Sequence, residues 1–299
     1  MSSHKIIIGD SRDMHEVADE TVHLIVTSPP YFNIKELGSQ PGNLSSIEDY
    51  GLFLDMLEQV WKECVRVLTP EGRICIDVLD FPVPSSVHGF VALKPLHSDI
   101  VQQFKSFSNM VYYANIIWLR SPFRRVTGRT GSTGGPMWGS YPYPPNILSH
   151  NIYEYILVFR KKGKRLKPDS EAKEKSRITI DELYEFTRPV WQIEGVTSMR
   201  KLGHLAIFPD EIPYRLIRMY TFIGDTVLDP FLGTGTSMKV ARSLNRNSVG
   251  YEIAYEYLEL IKEKVGMNLR SLDSQDAFEV IVRDEAKPRT KASIQMSSG

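Results

Sequence analysis

The chain reads as an α/β protein, and three features of the sequence predict it. Short apolar runs stop abruptly at Gly-Asp or Pro-Pro, amphipathic stretches with a 3.6-residue rhythm lie between them, and one strand, glycine turn, helix, strand unit stands near the C-terminal end. At 299 residues, 42% hydrophobic and 24% charged, the chain can bury a sizeable core as one large or two small domains without staples. Its 2 cysteines, Cys64 and Cys75, sit in apolar contexts without zinc spacing and read as buried thiols. No leader-like segment and no membrane-length apolar run is present, so a soluble, cytoplasmic protein is expected.

In chain order, "KIIIGD" (5–10) and "VHLIVTSPP" (22–30) read as buried strands separated by a turn or short helix. Residues 34–46 are loop-like. Apolar residues at Phe53, Leu57, Val60, Trp61, Cys64 and Leu68 then predict an amphipathic helix, with Ser46 as its cap. "TPEG" turns the chain into the strand "RICIDVLD", 81–94 is irregular, "SDIVQQFKSFSNM" is helical and "VYYANIIWLR" a strand. Residues 121–146 hold five glycines with no periodicity, a loop long enough to be functional. A strand at 152–161, a charged excursion, a helix from 179 up to Pro189 and a helix at 210–221 follow. From 271 onward the chain reads as a polar tail with one apolar clump, "FEVIV".

The most informative unit is "VLDPFLGTGTS" (227–237). A strand runs into Gly233 and Gly235, and a helix opens beyond them, where free amides attract polar or anionic groups. Glu252 ends the next strand, nineteen residues after Gly233, where a carboxylate reaches the two hydroxyls of a ribose. An adenosine-bearing cofactor fits. The third glycine of a dinucleotide turn is absent, which points to S-adenosylmethionine.

With "TSPPY" at 27–31 standing before "DPFLGTGTS" at 229–237, the chain resembles the amino-methylating DNA methyltransferases, in the permuted β class whose catalytic motif precedes the cofactor motif. "GYEI" (250–253) is similar to the family's acidic ribose motif, "GHLAIFP" (203–209) to the motif upstream of the cofactor loop, and "GDS" (9–11) to its adenine motif. The resemblance covers 5 to about 267. It implies a Rossmann-like class I methyltransferase fold, α/β, with a mostly parallel, circularly permuted central sheet and an irregular DNA-binding insertion. The implied layout is a methyltransferase domain over 1–270, with a catalytic half at 5–120, a basic loop and recognition region at 121–200, a cofactor half at 201–267, and a polar tail at 271–299. About 40 residues separate "YILVFRK" from the histidine motif, short for a dedicated target-recognition domain.

The resemblance also assigns roles. An exocyclic amino group is a poor nucleophile because its lone pair is delocalised into the ring. Ser28 Oγ and the Pro29 carbonyl are expected to accept its two hydrogens, Pro30 to fix the turn, and Tyr31 to stack on a flipped base. Cofactor contacts fall to Asp10, Ser11, His204, Asp229, Pro230, Phe231, Gly233, Gly235, Thr236 and Glu252, with no metal. Serine in the first motif position leans toward the N4 of cytosine, so a site-specific cytosine-N4 DNA methyltransferase is the leading expectation. Adenine N6 is the alternative, and a DNA-binding protein with lapsed catalysis a third reading. A homodimer and a restriction endonuclease acting on the same site are compatible with the class.

Charge supplies the DNA argument. Net charge is zero, yet 118–167 carries ten basic residues against one acid, Glu154, so this segment is +9 and the rest of the chain −9. A neutral but polarised protein can hold a phosphate backbone on one face. Arg124, Arg125 and Arg129 in the glycine-rich loop, with Trp138, Tyr141 and Tyr143 nearby, are the candidates for phosphate or guanine contact in double-stranded DNA. Lys161 and Lys162 within "RKKGKRLK" (160–167) are expected to track the backbone. His88, His97 and His150 read as structural.

Overall fold

The computed structural model describes residues 2–32, 42–83, 92–120, 153–195, 208–267 and 276–286. Nine strands form one sheet: β1 (Ser3–Ile8), β2 (Val22–Thr27), β3 (Leu68–Val78), β6 (Met110–Leu119), β7 (Tyr153–Lys161), β8 (Val190–Gln192), β9 (Thr226–Asp229), β10 (Asn247–Glu252) and β11 (Ala277–Val282). Two short strands, β4 (Phe81–Val83) and β5 (Ala92–Lys94), pair separately within the stretch expected to be irregular. The order across the main sheet is β11-β1-β10-β9-β2-β3-β7-β6-β8. From β11 to β3 every pairing is parallel, while β7 runs antiparallel to both its neighbours. The strand of the glycine turn, β9, enters late in the chain yet sits mid-sheet between β10 and β2, which is the permuted arrangement expected.

Helices cover both faces because the central strands are apolar on both sides. On one face lie α1 (Tyr50–Val67) and α2 (Leu96–Lys105), which bury Phe53, Leu57, Trp61 and Phe104 against Ile25, Ile74 and Ile76. On the other, α5 (Glu211–Tyr220) and α6 (Thr236–Ser243) pack Ile212, Leu216, Ile217 and Val240 on Leu24, Val26 and Val227. The helix α7 (Leu258–Val265) continues that layer over Ile6 and Ile8. Two short helices, α3 (Ser170–Lys175) and α4 (Ile180–Phe186), complete the described set.

Several boundaries differ from expectation for local reasons. β2 ends at Thr27, because Pro29 and Pro30 have no N–H to extend a ladder. The cap of α1 is Asp49, whose side chain accepts from Leu52 N at 2.7 Å, and Ser46 belongs to a preceding 3-10 turn. The "TPEG" turn forms a bulge within β3, with Glu71 at φ 62°. α4 stops at Phe186, and Val190–Gln192 extends the sheet instead of prolonging the helix. The "FEVIV" clump is no tail: it forms β11, hydrogen-bonded to β1 along its whole length.

Candidate functional site

The C-terminal ends of β1, β2, β9 and β10 open into one cavity. Parallel strands deliver their following loops to the same edge, and the chain reverses its spatial order around β9, where such sheets place ligands. All four expected catalytic residues, Ser28, Pro29, Pro30 and Tyr31, line this cavity, as do Asp10, Ser11, Asp229, Pro230, Phe231, Gly233, Thr236 and Glu252. His204, Arg124, Arg125, Arg129, Trp138, Tyr141 and Tyr143 lie outside the described residues.

Two buried carboxyls organise the cavity. Glu252 accepts from Gly233 N at 2.8 Å and Ala254 N at 2.9 Å, which ties the ribose-side strand end to the glycine turn. Burial raises its pKa to about 7 against the pull of those amides. Asp229 accepts from Thr27 Oγ1 at 2.7 Å, from Ser237 Oγ and from Phe231 N at 3.1 Å. Its pKa rises to about 6, again through burial. The carboxyl therefore joins the strand end just before Ser28 to the cofactor turn and to the first turn of α6.

The two glycines of the turn serve different ends. Gly233 lines the cavity, and a Cβ there would meet nothing closer than Phe231 O at 3.9 Å, so the space beside it is open to a ligand. Gly235 does not line the cavity. It sits at φ 88°, and a Cβ would come within 3.1 Å of Val265 and 3.4 Å of Ile261. Glycine at this position lets the helix start close against α7. The open cradle at Gly233, a carboxyl at the ribose position and the Phe231 wall fit S-adenosylmethionine. Asp10 lies at the cavity too, with its carboxylate engaged by the Arg12 backbone N–H at 2.9 Å and by the Arg12 guanidinium.

Residues that sequence reasoning missed complete the site. Asn43 and Leu44 also line the cavity, as does Tyr257, which lies near Glu252. Lys264 reaches from α7 to donate to Thr234 Oγ1 and Thr236 Oγ1, each at 2.6 Å, and burial lowers its pKa to about 8. Near Tyr31, buried Asp77 and Glu154 face each other across β3 and β7 and share a hydrogen bond. Burial, then the Glu154 charge, pushes the Asp77 pKa far up; burial raises Glu154 as well, and Arg120 holds Glu154 at 3.0 Å. The charges of Glu154 and Asp77 reach Tyr31, whose phenol is raised chiefly by burial. Only i, i+2 alternation in "ICIDV" and "YEYILV" could have marked these acids as inward-facing.

The structure contradicts the placing of Lys161 on a DNA backbone. The Lys161 ammonium is buried and donates to Val65 O at 2.9 Å and Leu68 O at 2.7 Å, with Glu20 at 3.0 Å. Lys162 is exposed but binds Ser108 O at 2.8 Å. Because β7 is antiparallel, its C-terminal end runs toward the start of β3, with Arg160 opposite Arg73 and Lys161 bonded to the Leu68 carbonyl. The run 160–167 therefore lies at the end of the sheet opposite the cavity, where Arg160 pairs with Glu71 and Arg165 with Asp225. No cluster that could hold a metal ion occurs among the described residues.

Known proteins resemble this chain in sequence and in fold. A DNA methylase family of N6 and N4 enzymes matches residues 22–263. The Type II methyltransferase M.MjaI of Methanocaldococcus jannaschii is 37% identical over 94% of this chain and 97% of its own. M.MthZI of Methanothermobacter thermautotrophicus is 32% identical, covering 90% of this chain and 78% of its own. Among solved structures, a Thermus thermophilus protein described as a DNA modification methylase, with S-adenosyl-L-methionine bound, superposes with a TM-score of 0.70 at 33% identity, over 94% of this chain and 100% of that one. The cytosine-N4-specific PvuII DNA methyltransferase shares the fold at 19% identity, with a TM-score of 0.63 over 93% of this chain and 95% of that one.

Proposed function

Since the chain belongs to the N6/N4 family of DNA methylases, we propose that it methylates the exocyclic N4 amino group of cytosine in double-stranded DNA. The coarser identity follows from the family: it is a DNA methyltransferase of the Type II kind, with S-adenosylmethionine as cofactor. The cytosine assignment rests on one observation, the neutral Ser28 hydroxyl in the first position of the Pro-Pro-Tyr motif, set in the same cavity as the cofactor residues.

The residues divide the work as follows. Gly233, Phe231, Glu252 and the Asp10–Ser11 loop would hold the cofactor, which when bound supplies a sulfonium methyl group. The ladder between β2 and β3 ends at the Thr27–Ile76 pair, so the Pro29 carbonyl lies beyond it. Ser28 Oγ and that carbonyl accept the two amino hydrogens and draw the nitrogen toward tetrahedral geometry, aiming its lone pair at the methyl. Tyr31, partly buried at the cavity wall, offers its ring to a base taken out of the duplex. Catalysis of this kind is positioning and preorganised hydrogen bonding, and it asks for no covalent intermediate.

The test is product analysis. Mixed-sequence duplex DNA incubated with the protein and methyl-labelled cofactor, then digested to nucleosides, is expected to yield N4-methylcytosine. Label found solely in N6-methyladenine would replace the cytosine assignment with the adenine one, and cofactor binding with no label transferred would support the lapsed-catalysis reading.

A further inference from the structure

The segment read as a polar tail places one side chain behind the cofactor cavity. Arg283 follows β11, and its backbone N–H continues the ladder to Ile8 O at 3.0 Å. Its guanidinium, 8% exposed, then folds back beneath the loop that follows β1. Nε and Nη2 grip Glu16 with a two-pronged pair of bonds at 2.8 and 2.7 Å, Nη1 donates to Asp10 O at 3.0 Å, and Nη2 to Asp13 O at 2.6 Å. Four of its five N–H donors are thereby engaged.

A second limb reaches the ribose side. Tyr251, the neighbour of Glu252, donates its hydroxyl to the same Glu16 carboxylate at 2.9 Å, and the guanidinium lies 5.7 Å from the Tyr251 ring centre. Burial alone would raise the Glu16 carboxyl, but the Arg283 and Tyr251 bonds overcome it and bring its pKa down to about 2. Gly9, at the head of the loop, completes the match. A Cβ at that position would stand 2.5 Å from Arg283 Cδ, so the side chain occupies the space a larger residue would need.

We propose that Arg283 is a positioning residue for the cofactor, setting the Asp10–Ser11 loop and the Tyr251–Glu252 strand end at a fixed distance from one another. The inference rests on reading those two segments as the adenine and ribose contacts. Arg283 does not line the cavity; it acts through Glu16, Tyr251 and the loop carbonyls. A planar fork with bonds in several directions is what lysine cannot reproduce, so Arg283→Lys keeps the charge and loses the geometry.

The test is calorimetric titration of the full-length chain with S-adenosylhomocysteine and with its inosine counterpart, which lacks the adenine amino group. Wild-type protein is expected to prefer the adenosyl form at least tenfold. Arg283→Ala should weaken adenosyl binding tenfold or more while barely altering inosyl binding, so the preference collapses; Arg283→Lys should fall between. Should the alanine variant not fold, the lysine variant decides alone through the same ratio. If wild type binds both forms alike, the adenine reading of the loop is wrong and the proposal goes with it. If wild type discriminates and the variants discriminate equally well, the loop reading stands and the role given to Arg283 is overturned, whatever happens to overall stability.

Discussion

At the scale of single residues, Glu252 carries a pH dependence whose sign can be worked out. Its carboxyl, ordinarily near 4.5, is raised to about 7 by burial, so in the cofactor-free fold it holds its proton through most of the acid range. Ionising it there opposes folding by about 3 kcal/mol, a cost absent below its unfolded value and complete above pH 7. A carboxylate accepts two ribose hydroxyls, whereas the acid form gives up one acceptor to its own proton. Cofactor affinity should therefore rise by roughly tenfold from pH 6 to pH 8 and level off above. Titration of S-adenosylhomocysteine across that range checks it, and Glu252→Gln should bind weakly with a flat profile. Glu252 was legible in the sequence because strand end and spacing define its place. Lys161 was not, because a basic run reports charge and says nothing about which member turns inward to meet the carbonyls of Val65 and Leu68.

Between elements, the Asp229 carboxyl is the joint that matters. It binds the end of β2 through Thr27, the cofactor turn through Phe231 N and α6 through Ser237, so the base pocket and the cofactor pocket share one anchor. Replacing Thr27 with valine keeps the volume and removes the donor, a loss of about 1–3 kcal/mol for a buried bond to a charged group. The expected outcome is a fall in kcat of tenfold or more with cofactor affinity within threefold of wild type, and recovery in Thr27→Ser. A steady-state kcat against KM comparison measures it; an equal loss in both would place Thr27 in cofactor binding. Strands and helices were legible at this scale wherever apolar periodicity was long, as in α1. They were misread where the signal was short or interrupted: β11 looked like tail because charged residues flank a half-buried edge strand, and β8 was hidden behind the helical pattern of α4.

For the whole molecule, the basic run and the cavity lie at opposite ends of the strands. The cavity opens at the C-terminal ends of β1, β2, β9 and β10, and the basic run 160–167 lies at the other end of the sheet, about 17 Å away along β3. Reversing Lys162 and Lys164 to glutamate should then leave duplex DNA affinity within about twofold and the salt dependence of binding unchanged, since a lost phosphate contact would lower the slope by nearly one. Fluorescence anisotropy at several salt concentrations gives both numbers. The sheet's order has one more effect, on time. β1 pairs with β10 and β11, and β2 needs β9 on one side, partners about 200 residues or more downstream. At a synthesis rate of about 5–20 residues per second, these two strands wait roughly 10–40 s for their neighbours to leave the ribosome. Through that interval their apolar edges lack those native partners. The cavity, whose walls come mostly from the first and last quarters of the 299 residues, therefore comes into being only once the chain has been made past Tyr257.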